Sequence, residues 1–431
     1  MAERRRVLLV GGGDLAEEVC EALAAGGAEV NWLDDADDES LRAALEQGRP
    51  DVVVVATRDD AFPLRMALLV RHIDEDVPLL VTIFDPGIAE QISNTIPNCR
   101  VTSLADIVAP SLAGPCIDPE LLAVLRDGER TVGLGEDLEE VALPPRQAHQ
   151  VRSFVTAVLK PYDTSAALLL YGFAGLVTML CFELFGAMIV LDQPFADAFY
   201  GSAKSLTTVG PNTDVDDGPK WFKVAIACSV ILTLLSAACF TGGLINRLVD
   251  SRLTALFGKR AVPRRDHVIV IGLGQVGLRL CMLLRECGVL VVAVDADEDT
   301  ETVGLARRLK IPVVIGRGAN PEVLRRLSPR SARAFAAVTD DDLVNIESAL
   351  TARSLNEDLR IVLRAGDGDV ADETRSLFRI GHVVDVHRLG AAYIAGITLG
   401  SEADGVALHD GNAELLLPGR ERETSPLEVA K

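Results

Sequence analysis

The chain lacks a basic surplus. Its 431 residues carry 42 Lys and Arg against 63 Asp and Glu, a formal net charge of −21, which excludes nucleic acid as an expected partner. Lysine itself is scarce, with seven among the 42 basic residues, the bias of a GC-rich bacterial gene. The eight cysteines (Cys20, Cys99, Cys116, Cys181, Cys228, Cys239, Cys281 and Cys287) show no C-x-x-C spacing, so reduced thiols and no zinc site are expected. Histidines are few and dispersed (His72, His149, His267, His382, His387 and His409), and none stands with a Lys or Tyr at catalytic spacing. An enzyme is therefore not expected. No cleavable leader is expected either, because Met1 to Arg6 leads straight into Val7-Leu8-Leu9-Val10 and then glycines.

Long uncharged runs are present. From Thr164 to Phe182 there is no charge, then Glu183, then an apolar stretch to Leu191; Val224 to Asn246 is again uncharged. A helix of about 20 such residues crosses the hydrocarbon of a bilayer, so two spans are predicted. The 32 residues from Asp192 to Lys223 leave room for a short descending helix, Pro194 to Leu206, a lining segment and a return. Ser205-Leu206-Thr207-Thr208-Val209-Gly210-Pro211-Asn212-Thr213-Asp214 has the small residues and Thr hydroxyls that suit an extended backbone whose carbonyls replace an ion's hydration shell. An ordinary outward-facing loop is the plainer alternative. Arg152 and Lys160 precede the first run, and Arg247, Arg252, Lys259, Arg260, Arg264 and Arg265 follow the second. The positive-inside rule then places both termini in the cytoplasm of a multi-pass protein of the bacterial plasma membrane.

Val268-Ile269-Val270-Ile271 runs into Gly272-Leu273-Gly274-Gln275-Val276-Gly277, a strand, a G-x-G-x-x-G turn and an apolar-periodic helix; a second strand ends in Asp295, 21 residues beyond Gly274. Glycines at such a turn let the backbone approach a pyrophosphate at a helix N-terminus, and the acid can hold ribose hydroxyls. The N-terminal region repeats the pattern in Gly11-Gly12-Gly13-Asp14-Leu15-Ala16 and Asp34, at a constant offset of 261. Further on, Ala56-Thr57-Arg58-Asp59-Asp60, Ala67-Leu68, Arg71 and Glu75-Asp76 match Val338-Thr339-Asp340-Asp341-Asp342, Ala349-Leu350, Arg353 and Glu357-Asp358 at an offset of 282. The first copy therefore lacks a strand-and-turn segment that the second has at Ile311 to Pro321. Residues 125–161 read as a linker ending in an amphipathic helix, Gln150 to Leu159. The tail after Gly400 reads as poorly ordered, with one short hairpin around Val406 to Leu417.

These residues resemble the two-helix potassium channels joined to regulator-of-conductance (RCK) domains. The likeness runs from Ala166 to about Ile397. It is carried by Thr207-Thr208-Val209-Gly210, by Gly242-Gly243, and by the Gly272 fingerprint with Asn320-Pro321-Glu322-Val323-Leu324 and Thr339-Asp340-Asp341-Asp342. It implies a membrane α-helical pore (helix, pore loop, helix) flanked by two α/β Rossmann-like RCK domains. On this reading residues 1–125 and 267–400 are the RCK domains, 126–163 and 247–266 are linkers, 164–246 form the pore, and 401–431 are an acidic tail. Four chains would surround one pore in the lipid bilayer, with a ring of eight RCK domains whose expansion pulls the inner helices open.

The implied activity is a ligand-gated cation channel with K+ coordinated by Thr208, Val209, Gly210, Pro211 and Asn212. Potassium filters resemble T-V-G-Y-G-D, and here the inner positions are kept while Pro211 and Asn212 alter the outer ones. Proline removes an N–H that braces the loop, and asparagine tolerates left-handed geometry. A wider outer mouth and calcium or sodium permeability are thus alternatives, and the plant Castor and Pollux cation channels are a looser resemblance. The nucleotide residues are Gly11, Gly13 and Asp34 in the first copy and Gly272, Gly274, Gly277, Asp295 and Arg317 in the second. The two acids favour NAD(H) or an adenine nucleotide over NADP, whereas Arg317 stands where the family often has an acid and suits a ligand with an additional phosphate. Asp34 to Asp38 and Asp295 to Asp299 are candidate Ca2+ ligands or solvated loops. Lys204, one turn before Thr208, has Glu183 and Asp214 as candidate partners, Glu183 being favoured, or is expected to snorkel outward. Gly242-Gly243 is a gating hinge or a close-packing surface with Ala238. A membrane-anchored dinucleotide oxidoreductase and a non-conducting nucleotide sensor are the functions of other classes.

Overall fold

The computed structural model describes residues 4–34, 36–57, 61–127, 130–135, 137–143, 164–207, 215–216, 218–249, 263, 265–366, 381–409, 412–417 and 424–426. They fall into two units, 1–149 with 263–431 and 150–262.

The first unit holds two Rossmann halves. Strands β1 (Arg6–Val10), β2 (Glu29–Leu33), β3 (Val52–Val55), β4 (Leu79–Thr82) and β5 (Cys99–Thr102) alternate with α1 (Asp14–Ala25), α2 (Asp38–Gly48), α3 (Ala61–Ile73), α4 (Pro86–Thr95) and α5 (Leu104–Ile117). They form a parallel sheet in the order β2-β1-β3-β4-β5. The second half has β9 (His267–Ile271), β10 (Leu290–Asp295), β11 (Val313–Ile315), β12 (Ala334–Ala337), β13 (Arg360–Ala365) and β14 (His382–Asp385) in the order β11-β10-β9-β12-β13-β14. Its helices are α9 (Gln275–Glu286), α10 (Glu301–Arg308), α11 (Pro321–Arg326), α12 (Asp342–Leu355) and α13 (Val386–Thr398). Central strands covered on both faces need continuous apolar runs rather than alternation. β3 is four valines, all buried, and the five residues of β9 are buried throughout. The extra strand of the second half is β11, within the segment that the change of offset singles out.

The last helix of each half crosses to the other. Helix α5 packs on α9, and α13 packs on α1. A helix apolar on every side must be covered on every side, and α5 buries eleven of its 14 residues. Gly114 has no room for a side chain there, because a Cβ would lie 2.7 Å from the Ala123 nitrogen.

Each crossing helix leads into a small antiparallel sheet. After α5 come β6 (Leu121–Asp127), β7 (Arg130–Gly135) and β8 (Glu140–Val141); after α13 come β15 (Gly405–His409), β16 (Asn412–Leu416) and β17 (Thr424–Pro426). The two sheets share a core of Ala123, Leu125, Leu134, Ala407 and Leu416. Residues 121–141 are therefore not linker but the copy, at the same offset of 282, of the small sheet after α13. The expected hairpin is β15–β16, and it belongs to this core rather than to a loose tail. The amphipathic helix expected at Gln150 to Leu159 lies outside the described residues.

The second unit consists of α6 (Thr164–Val190), α7 (Phe195–Leu206) and α8 (Lys220–Val249). Leu168–Val190 and Lys220–Ile245 are long and apolar enough to cross a membrane. They meet where small residues admit a backbone: a Cβ on Gly172 would lie 2.5 Å from the Phe240 nitrogen, and one on Gly175 2.4 Å from Ser236 Oγ. Large apolar side chains point away from this contact, among them Tyr171, Ile189, Val224 and Ile231, each more than 60% exposed. Ala238 is exposed and a Cβ on Gly242 would meet nothing within 4 Å, so this surface makes no close contact among the described residues.

His267 opens β9 fully buried, and Nε2 lies 2.9 Å from the Leu327 carbonyl as its donor. Burial pushes its pKa down to about 4 from 6.5. The unfolded chain binds a proton that the folded chain refuses, so stability is lost as pH falls from about 6.5 towards 4, by roughly 3 kcal/mol at the limit. His267→Gln is expected to reduce the fall in melting temperature between pH 7 and pH 4.5, measured by differential scanning fluorimetry. An unchanged fall would remove His267 as the cause.

Candidate functional site

The glycine turn of the second half sits where the strand order reverses, between β9 and β12, the place where open α/β sheets bind ligands. Gly272 has φ +92°, and a Cβ there would lie 2.8 Å from Thr339 Cγ2. At Gly277 a Cβ would come within 1.9 Å of the Gly272 carbonyl oxygen, so the third glycine lets the turn close on the helix. Gly274 is different. It caps α9, and a Cβ on it would meet nothing within 4 Å. The N–H groups at the start of α9 thus face an open cradle suited to a phosphate.

Asp295 ends β10 beside this cradle. Its Oδ2 accepts from Leu273 N at 2.7 Å and its Oδ1 from Asp297 N at 2.9 Å, and a carboxylate with two partners still has lone pairs for ribose hydroxyls. Arg317 follows β11, whose Ile315 pairs in register with Asp295. Its side chain is exposed. The turn, Asp295 and Arg317 thus share the C-terminal edge of three adjacent strands. No sequence signal points to the floor beneath Gly272: buried Asn345 takes bonds from Thr339 N at 2.9 Å and Thr339 Oγ1 at 2.7 Å and donates to the Thr339 and Arg364 carbonyls. The neighbouring acids are engaged locally. Asp297 Oδ1 accepts from Asp299 N, and Glu298 pairs with Arg307 at 2.6 Å. Among the described residues no three His, Cys, Asp or Glu side chains form a group able to hold a metal.

The first half has the same turn with a different lining. Gly11 and Gly13 have φ +133° and +81°, and Gly13 caps α1 with open space above it. Asp34 lies close over Gly12, since a Cβ there would be 2.4 Å from Asp34 Oδ1. The indole of Trp32 donates to the Gly11 carbonyl at 2.8 Å, where the second half has Ala293. Asp37 caps α2 through Ser40, which lowers its pKa, and Asp38 pairs with Arg65 at 2.5 Å.

In the membrane unit the residues of the expected filter, Thr208, Val209, Gly210, Pro211 and Asn212, lie outside the described residues. Thr207 ends α7 with Oγ1 donating to the Ala203 carbonyl at 3.0 Å. The expected Lys204–Glu183 pair does not form. Glu183 is buried and its Oε1 accepts from Ser229 Oγ at 2.6 Å, whereas Lys204 Nζ stands 5.6 Å from the centroid of the Tyr200 ring. The helical turn separating Lys204 from Thr208 fixes height but not facing, and Ser229 on α8 supplies a nearer donor.

A profile of the TrkA-N domain family matches residues 268–384. The Trk system potassium uptake protein TrkA homolog of Methanothermobacter thermautotrophicus is 30% identical over 151 residues, covering 35% of this chain and 68% of that protein. The chain belongs to the TrkA family of RCK proteins. Potassium channel protein 1 of Methanocaldococcus jannaschii is 22% identical over 209 residues, 47% of this RCK chain and 62% of that one. The voltage-gated potassium channel Kch of Escherichia coli is 23% identical over 222 residues, 48% and 52% of the two chains. This chain thus spans between half and two thirds of the length of these two relatives. Among solved structures, the GsuK channel superposes over 97% of this chain and 68% of its own with a TM-score of 0.51 at 16% identity. A GsuK channel bound to NAD covers 92% and 64%, also at 0.51, with 15% identity. The shared fold is two Rossmann-like RCK halves with two apolar helices between them in sequence.

The two glycines of the second turn separate fold from binding. Gly277→Ala is expected to lower the melting temperature by several degrees, because its Cβ collides with backbone. Gly274→Ala is expected to leave melting within a degree or two but to weaken NADH binding at least tenfold by calorimetry, because its methyl enters the cradle. Equal binding by wild type and Gly274→Ala would exclude the turn as the phosphate site.

Proposed function

We propose that this chain is a nucleotide-gated potassium channel, assembled as a homotetramer with eight RCK domains in the cytoplasm of a bacterial cell. One observation carries the reading: two spans and a short helix ending at Leu206 are inserted between two RCK halves that fold as one body, each with a glycine turn open above its capping glycine. The potassium channels and the NAD-bound channel similar to this chain support it. In this reading Thr208 to Asn212 line the ion path and Gly272, Gly274, Gly277 and Asp295 hold NAD(H) or an adenine nucleotide, with Arg317 reaching its phosphates. The halves act by population shift: the ligand moves the gate only by its differential affinity for the open and closed states. Pro211 and Asn212 carry a second reading, in which the outer filter admits sodium as well.

Purified protein in liposomes is expected to carry a potassium flux that NAD(H) or ADP changes severalfold, and Gly274→Ala is expected to retain the flux but lose the response. Sodium and calcium gradients in the same vesicles read selectivity. Absence of any cation flux from correctly oriented protein, with or without nucleotide, would overturn the channel reading.

A further inference from the structure

The glycine turn lies at one edge of the second half's sheet, and the opposite edge is basic. Four adjacent strands, β11, β10, β9 and β12, begin there. Arg308 ends α10, Arg325 and Arg326 end α11, and Arg330 stands in the turn Pro329–Ser331 that leads to β12. With Lys310 before β11 and Arg265 before β9, these six side chains are all exposed. The acids at the four strand entries are already taken, Asp266 by Arg333 at 2.7 and 2.8 Å and Glu286 by Arg126 at 2.5 Å. The patch stops at the next strand, β13, which Glu357 and Asp358 precede.

A base at the end of a helix favours the helix dipole, but the fold does not require these. In the first half neither α1 nor α2 has a base in its last turn. The segment bearing Arg325, Arg326 and Arg330 lies between β11 and β12, where the first half passes directly from α2 to β3. The surplus also runs against the whole chain, whose net charge is −21. Charges in water are screened within about 8 Å at physiological salt, so a ligand at this edge meets the local bases and not the distant acids. The chain arriving from α8 enters the unit at this same edge, through β9, and carries Arg252, Lys259, Arg260 and Arg264 on the way. Clusters of about four to eight bases on the cytoplasmic side of a span suit anionic lipid, and the guanidinium fork matches the paired oxygens of a phosphate. We propose that this edge is a docking surface for the anionic phospholipid headgroups of the bilayer that α6 and α8 cross. The proposal rests on those helices as spans and not on ion conduction. Because the glycine turn is at the other edge, headgroups and nucleotide bind without competing, and bound lipid restrains one edge of the second half while the cradle stays open.

The test uses the full chain in nanodiscs of phosphatidylcholine alone or mixed with phosphatidylglycerol, without nucleotide. Arginines are labelled with phenylglyoxal and read by mass spectrometry. Phosphatidylglycerol is expected to slow labelling of Arg308, Arg325, Arg326 and Arg330 about threefold or more at low salt, an effect lost at high salt, and to leave Arg317 at the opposite edge unchanged. Inorganic phosphate added to phosphatidylcholine discs is expected to protect none of them. No slowing, as when another chain covers this edge, equal slowing at Arg317, or equal protection by free phosphate would overturn the headgroup assignment. The variant Arg308→Gln, Arg325→Gln, Arg326→Gln, Arg330→Gln changes exposed side chains alone and is expected to melt within a few degrees of wild type. In wild type, phosphatidylglycerol is expected to slow amide hydrogen exchange across residues 307–331; the variant loses this slowing, and lysine at the same four positions restores it. Slowing that persists without the four charges, or that is absent from wild type, would equally overturn the proposal.

Discussion

The exchange of α5 and α13 between the two Rossmann halves is the contact on which the rest of the first unit depends. Helix α5 is apolar on every side and interrupted by Pro110 and Pro115, a poor helix by propensity, and it is stable because α9, β6 and the second half's sheet cover it. Neither half is complete without the other. One core joins Leu9, Leu23 and Val54 of the first to Val268, Leu284 and Leu389 of the second. The small sheets after each crossing helix close over the same junction, with Ser111 Oγ bonded to the Val406 carbonyl at 3.2 Å.

This constrains the membrane segment topologically. Residues 4–143 and 265–426 contribute to one body, so the chain between them must leave and return on the same side of any bilayer it crosses. An even number of spans is required, and two helices meet the length and apolarity that crossing demands.

Much of this is legible in the sequence because the repeat carries its own ruler. The offset of 261 runs through the glycine turn and second strand, and its change to 282 marks β11, which the first half lacks. The small sheets are not legible: β6 to β8 are short, broken by Gly133 and Gly135, and find their partners in Ala407 and Leu416, some 280 residues away. Nothing local announces such a contact. The pairing of Lys204 with Glu183 fails for a related reason, since spacing along α7 says nothing of which face of α6 it meets. Asn345 is hidden by type, as a lone asparagine in a helix reads as solvated until its four bonds around Thr339 and Arg364 are seen.

The two glycine turns share a backbone but have diverged in lining. In the first half Trp32 spends its indole N–H on Gly11, and among the described residues the edge strand β2 has no outer neighbour. In the second, β11 supplies that wall and brings Arg317 to the rim. A ligand in the second cradle would sit on the N-terminus of α9, and α9 is the helix that receives α5 through Arg279 and Asp106. Burial raises the Asp106 pKa, and the Arg279 guanidinium beside it opposes the rise. Any shift of α9 on ligand binding therefore changes a contact that the first half cannot replace from its own residues. The crossing that holds the two halves together therefore packs on the same helix, α9, whose N-terminus borders the glycine turn.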